Sequence, residues 1–108
     1  MRYIPNNDDE KTNHALVGLY DVYDPEVGLN VVDLGLLYNF DFNNEKKEVE
    51  LTMTFTTEFC PMGDAISSDV NEAMHNAFPD YEVNLNIIFD PPWDFSMITE
   101  EGREYLGR

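Results

Sequence analysis

The chain has 108 residues, 43% of them hydrophobic, and a formal net charge of −16, which is typical of one acidic globular domain. Such a surface repels phosphate backbones, so nucleic acid is not an expected partner, and no apolar run approaches the ~18 residues of a membrane span. The polar start is not expected to act as a secretory signal, and a single cysteine cannot form an internal disulfide, so we expect a cytoplasmic protein.

The beginning of the chain is predicted to hold a tail and a helix. Residues 1–8 are polar and are expected to form a flexible N-terminal tail ahead of a domain spanning residues 9–108. Residues 9–23 carry apolar side chains at helical spacing, which predicts a helix. Asp24-Pro25 ends that pattern, because proline disfavours helical geometry in the residue before it.

Two strands are predicted next, joined by the polar residues 43–47 as an antiparallel hairpin. Residues 31–42 alternate from Leu36 onward and predict a first strand, although Asp33 lies inside its apolar start and Gly35 indicates a bulge or a close backbone approach. Tyr38 is assigned to the apolar face of this strand. Residues 48–56 alternate strictly between apolar and polar side chains, which predicts a second strand with one buried face.

The last third of the chain predicts a helix, a strand and a short helix. Residues 61–77 show an apolar helical stripe, with Pro61 suited to the first turn. Residues 83–89 alternate as a third strand, parallel to the second because a helix connects them. Thr99 and Gly107 fit the two ends of a final helix. The sequence therefore predicts a single small α+β domain of order α-β-β-α-β-α, with helices packed on the apolar face of a mixed three-stranded sheet.

The lone cysteine, Cys60, is the strongest candidate for chemistry. If Pro61 is the first helical residue, the thiol lies at a helix N-terminus, where the dipole favours the thiolate as a nucleophile or soft metal ligand. The alternative is a small buried side chain, which is the commoner role of cysteine. Glu58 is near in sequence, where its carboxylate is expected to raise the thiol pKa or to act as an oxygen ligand.

Three other polar side chains are candidates for the same site. Asp33 lies in an apolar run and needs a partner or an opening to water, and a local cap or turn bond is the structural alternative. Thr54 and Thr56 are interpreted either as ordinary solvent-facing strand residues or as hydroxyl donors beside Cys60 and Asp33.

Several ordered motifs resemble those of the iron–sulfur cluster assembly family known as domain of unknown function 59, which includes SufT-like, PaaD-like and eukaryotic cytosolic cluster-targeting proteins. The resemblance runs from about residue 12 to the end of the chain, and its motifs are the segments 24–26, 30–38, 53–56, 60–64, 90–93 and 97–103. It implies that Cys60 is the functional thiol. It also implies a pocket formed with the residues Asp33, Thr54, Thr56, Pro91, Pro92 and Trp93.

The same resemblance implies a factor that assembles or delivers iron–sulfur clusters rather than an enzyme, working with the assembly machinery and recipient apoproteins. Because clusters are usually held by several cysteines, no tightly bound cofactor is expected. A transient cluster would use Cys60 together with ligands from a second chain, as in a homodimer, or from a partner. Two alternatives stay open: a thiol-dependent redox or transfer enzyme using Cys60 and Asp33, and a PaaD-like accessory subunit of an oxygenase complex.

Overall fold

A computed structural model describes residues 4–57 and 63–107 as three helices, a one-turn 3-10 helix and two small sheets. The helices are α1 (Asp9–Leu19), α2 (Gly63–Ala77) and α3 (Glu100–Tyr105), and the 3-10 helix is Phe95–Met97. The strands are β1 (Tyr23–Asp24), β2 (Leu29–Asn30), β3 (Leu37–Asn43), β4 (Glu48–Met53) and β5 (Glu82–Ile87). The longer elements confirm the predicted α+β order.

Helix α1 begins at a side-chain cap and ends earlier than predicted. Asp8 Oδ1 accepts a hydrogen bond of 3.1 Å from the Lys11 amide, which satisfies one of the free N–H groups of the first turn. The prediction of helix to residue 23 is wrong, because α1 ends at Leu19. Tyr23–Asp24 instead pairs antiparallel with Leu29–Asn30 around a turn in which Gly28 has φ +79°.

The first long strand starts later than the sequence pattern predicts. Residues 31–35 form a turn in which the Asp33 amide donates to Asn30 Oδ1 at 2.8 Å and Gly35 takes φ +79°. The apolar side chains before Leu37 are buried by this turn rather than by a strand. Side chains buried by a turn and side chains buried by a strand are equally hydrophobic. The pattern of hydrophobic residues therefore did not show where the turn ends and the strand begins.

A register shift at the start of β3 changes which side chains share its buried face. Leu37 pairs with Met53 and Asn39 pairs with Thr52, so Tyr38 is the extra residue of a bulge. Leu37 is therefore buried with Phe40, whereas Tyr38 points its hydroxyl to the Pro91 carbonyl oxygen at 2.8 Å. The assignment of Tyr38 to the apolar face is wrong for this reason.

The three-stranded sheet has the order β3-β4-β5, with β3 and β4 antiparallel and β4 and β5 parallel, as predicted. The two parallel strands end sooner than expected, β4 at Met53 rather than residue 56 and β5 at Ile87 rather than residue 89. One face of the sheet joins the core with α1 and α2, and the other carries mainly polar side chains.

The N-terminal segment lies against the edge of β3. Ile4 is buried, Asn6 bridges to Phe40, and the Asn7 side chain donates to the Phe42 carbonyl oxygen at 2.9 Å. Residues 4–8 thus belong to the packed structure, while residues 1–3 of the predicted flexible tail lie outside the described residues.

Helix α3 has the predicted ends. Thr99 caps it by accepting from the Gly102 amide at 3.1 Å, and Gly107 follows it with φ +75°.

Within the described ranges, the helices are all too short or too polar to cross a bilayer.

Candidate functional site

A cleft of about 350 Å³ lies between the β1–β2 turn, the end of β4 and the C-terminal segment. It brings together two residues singled out from the sequence, Thr56 and Trp93. The rest of its described wall consists of Glu26, Val27, Phe95, Ile98 and Leu106. The cleft is therefore mainly apolar, with one hydroxyl and one carboxylate that can orient a ligand.

Trp93 is held in place by a backbone contact. Its indole Nε1 donates to the Leu34 carbonyl oxygen at 2.6 Å, so the turn at residues 31–35 fixes the ring. The Phe95 ring lies 5.4 Å from it between centroids at an interplanar angle of 57°. Because Phe95 is 58% exposed, this aromatic pair forms an accessible wall of the cleft.

Asp33 occupies a structural junction next to this wall. Its carboxylate accepts from the Asn30 side-chain amide at 2.7 Å and from the Thr99 hydroxyl at 2.8 Å. Its carbonyl oxygen accepts from the Thr99 amide at 2.8 Å. Oδ1 thus joins the 31–35 turn to the N-terminus of α3, while Oδ2 is held within the turn region by Asn30. A catalytic or ligand role for Asp33 stays a prediction.

The burial and charge around Asp33 also affect a nearby phenol. Burial raises the pKa of Tyr20 above its ordinary value of 10.0, and the negative charges of Asp33 and Glu101 raise it further. Tyr20 is the residue directly after α1, so the C-terminal end of that helix lies near the carboxylates of Asp33 and Glu101.

Three other predicted site residues do not line the cleft. Thr54 is fully buried, with its amide donating to the Leu36 carbonyl oxygen at 2.9 Å, so its assignment to the polar face of the strand is wrong. The Pro91 carbonyl oxygen accepts from Tyr38, and both Pro91 and Pro92 are exposed. A role for these three residues in the site stays a prediction.

The candidate thiol belongs to the segment between β4 and α2. Cys60, Glu58 and Pro61 lie outside the described residues, and with them the predicted helix N-terminus. Along the chain, Cys60 is four residues after Thr56 and three before Gly63, the first residue of α2. Elsewhere, within the part of the chain that the structure describes, no group of three His, Cys, Asp or Glu side chains is placed to hold a metal ion.

Sequence reasoning missed most of the cleft wall. Glu26 and Val27 lie in the turn between β1 and β2, and Phe95 belongs to a one-turn 3-10 helix, and neither segment has a periodic signal. Ile98 and Leu106 flank α3 and are brought to the cleft when Asp33 binds Thr99. The family motif at residues 24–26 contains Glu26 and is the sequence signal that could have identified this residue as part of the site.

Comparison with protein families gives one match, described as an iron–sulfur cluster assembly protein, over residues 15–85. A protein of Porphyromonas gingivalis named Fe-S protein maturation auxiliary factor is 38% identical, and the alignment covers 94% of this chain and 97% of that one. A Bacillus subtilis protein of the same description is 32% identical, with 92% and 97% covered.

Solved structures agree with this match. A domain of unknown function from Bacillus anthracis superimposes with a TM-score of 0.84 at 32% identity, over 92% of this chain and 93% of that chain. A conserved hypothetical protein from Thermotoga maritima superimposes with a TM-score of 0.75 at 34% identity, over 98% and 100% of the two chains.

Proposed function

Because this chain belongs to the iron–sulfur cluster assembly protein family, we propose that it acts as an auxiliary factor in the maturation of iron–sulfur proteins. The observation that carries the proposal is the agreement between that family match and relatives named for this role, which align over nearly their whole length. The role is one of helping assembly or delivering clusters, without a catalysed reaction of its own.

The cluster in this proposal is cargo. One cysteine in the chain cannot supply the several thiolates that usually hold a cluster. Cys60 therefore serves as one transient ligand or as a contact thiol, and the remaining ligands come from a second chain or from the partner. A thiol in this role has to stay reduced, so we place the protein in the cytoplasm.

The cleft lined by Trp93, called here the Trp93 cleft, is the proposed contact surface for partner proteins. Trp93 and Phe95 offer aromatic area with little conformational freedom to lose, which suits a protein contact. Thr56 and Glu26 add a hydroxyl and a carboxylate at its edge. Recipient apoproteins and assembly proteins are the expected occupants.

A complementation experiment tests the role. In a strain lacking the gene, aconitase activity per unit of aconitase protein is measured under iron limitation after expression of wild type or Cys60→Ala. We expect wild type to restore the activity and Cys60→Ala to fail. The matched control, Ser68→Ala, changes an exposed side chain on α2 and should restore the activity fully.

Two additional arms separate a functional Asp33 from a structural one. Asp33→Asn and Thr99→Val both weaken the junction that holds α3, so a purely structural role predicts that the loss of activity follows the loss of stability in the same way in both variants. A loss of activity in Asp33→Asn beyond that expected from its stability supports a role in the site. Normal aconitase activity in the Cys60→Ala strain would contradict the proposal for this thiol.

Anaerobic incubation of the purified protein with iron and sulfide then tests whether Cys60 is a cluster ligand or only a contact thiol. A visible absorption band that Cys60→Ala lacks supports a cluster ligand. An unchanged spectrum contradicts the ligand role and leaves a contact thiol.

A further inference from the structure

A second concave surface, the α1–α2 groove, lies away from the Trp93 cleft and shares none of its lining residues. Its volume is about 580 Å³, and its apolar floor is formed by Val17, Gly18, Ala73 and Ala77. These side chains are short, so the backbones of the two helices approach closely. An added Cβ at Gly18 would lie 3.8 Å from the Ala73 Cβ.

Packing within the chain does not explain why α1 has valine and glycine at positions 17 and 18. The buried stripe of this helix is Thr12, Ala15, Leu16 and Leu19, and Val17 lies off that stripe with 72% of its surface exposed. Valine and glycine are both unfavourable in helices, and the space at Gly18 would accept a methyl group at ordinary contact distance. The helix thus carries two unfavourable residues where they leave an open apolar floor.

The titratable side chains that line the groove are three carboxylates, which form its rim, and the imidazole of His14, whose Nε2 lies 3.1 Å from the Ala77 carbonyl oxygen. Asp21 on one side and Asp69 and Glu72 on the other are exposed, and neither lysine nor arginine lines the groove. Asp69 and Glu72 are three residues apart on α2, where like charges are neighbours and repel. A basic ligand would relieve this repulsion.

We propose that the α1–α2 groove binds an amphipathic helix of a partner protein, with small or aliphatic side chains against the floor and lysine or arginine facing the rim. An apolar groove with flanking charges is a common way of binding a helix, and complementary charge sets its specificity. A second copy of this chain fits poorly, because each copy carries a net charge of −16 and would bring carboxylates to this rim.

The test uses a defined probe. Full-length, 15N-labelled protein is titrated with a helical peptide of about 15 residues that has alanine and leucine on one face and lysine on the other. The same peptide with glutamate in place of lysine is the comparison. We expect amide shifts at Val17, Gly18, Ala73 and Ala77 with the lysine peptide only.

Two charge-reversed double variants locate the contact. Asp69→Lys with Glu72→Lys should weaken binding of the lysine peptide by about tenfold. Glu50→Lys with Glu82→Lys makes the same change in net charge on the exposed face of the sheet and should leave the affinity nearly unchanged. All four positions are exposed, so both variants should fold, which circular dichroism checks.

Four outcomes would overturn the proposal. They are the absence of shifts in the groove at millimolar lysine peptide, shifts that map elsewhere, equal weakening by both double variants, and a dimer in sedimentation that Val17→Lys disrupts. The last outcome would assign the groove to a second copy of the chain.

Discussion

Asp33 joins two parts of the molecule that are far apart in sequence. Its carboxylate accepts from Asn30 within the same turn and from Thr99 at the start of α3. An aspartate placed among apolar residues is tolerated because both of its oxygens have hydrogen-bond partners. Its position is therefore explained by structure, whatever its additional role.

Tyr20 provides a prediction at the scale of a single residue. Burial first, and then the charges of Asp33 and Glu101, raise its pKa, so the folded state favours the neutral phenol. The resulting contribution to stability is complete below pH 10 and is lost as the pH rises through the raised pKa. We expect wild type to lose stability relative to Tyr20→Phe between pH 9 and pH 11, measured by urea denaturation.

Tyr105→Phe is the matched control for this prediction, since it replaces a ring that is 69% exposed on α3. Its stability difference from wild type should change less with pH than that of Tyr20→Phe. Parallel pH profiles for wild type and Tyr20→Phe would contradict the account.

At the scale of elements, two glycines in helices have opposite surroundings. An added Cβ at Gly102 in α3 would lie 2.9 Å from Ile98 Cγ2 and from Leu29 Cδ2. At Gly18 in α1, the nearest atom to an added Cβ is 3.8 Å away. Glycine is thus required for the docking of α3 and is not required for the contact between α1 and α2.

The same substitution should therefore have opposite effects at the two sites. Gly102→Ala forces α3 away from the turn at Asp33 and should lower the free energy of unfolding by about 1–3 kcal/mol. Gly18→Ala removes backbone freedom from the unfolded chain and should raise it by about 0.5–1 kcal/mol. Denaturant unfolding measures both, and a loss of stability in Gly18→Ala would contradict the explanation based on the 3.8 Å clearance at this position.

At the scale of the whole molecule, the net charge of −16 is hardly compensated. Among residues 4–57 and 63–107, one ion pair is formed, between Lys11 and Asp8 at 3.2 Å. Across the sheet, Glu48 pairs in register with Glu82, and Asp41 pairs with Glu50. Like charges opposite each other destabilise a sheet, so the acidic surface opposes folding.

We expect sodium chloride to stabilise the protein for this reason. Raising the salt concentration from ~0.01 to ~0.1 M shortens the screening length from about 30 to about 10 Å, which weakens the self-repulsion. The melting temperature should rise by a few degrees, as scanning calorimetry can measure. Glu50→Lys with Glu82→Lys should show a smaller rise, and a melting temperature independent of salt would refute the explanation.

The sequence by itself determined the element order, the parallel pairing of β4 and β5, and the ends of α3, because periodicity and caps are local properties of the chain. It also identified the family through its motifs, which the family match confirms. The predicted strand ends were less accurate, because residues in a buried turn are as hydrophobic as residues in a buried strand.

Only the tertiary structure decided which residues line the cleft. The bulge at Tyr38, the burial of Thr54 and the bond from Thr99 to Asp33 each depend on a partner that is distant along the chain. For the same reason, the meeting of Thr56 with Trp93 follows from the fold, because contacts between remote segments leave no periodic signal in the sequence.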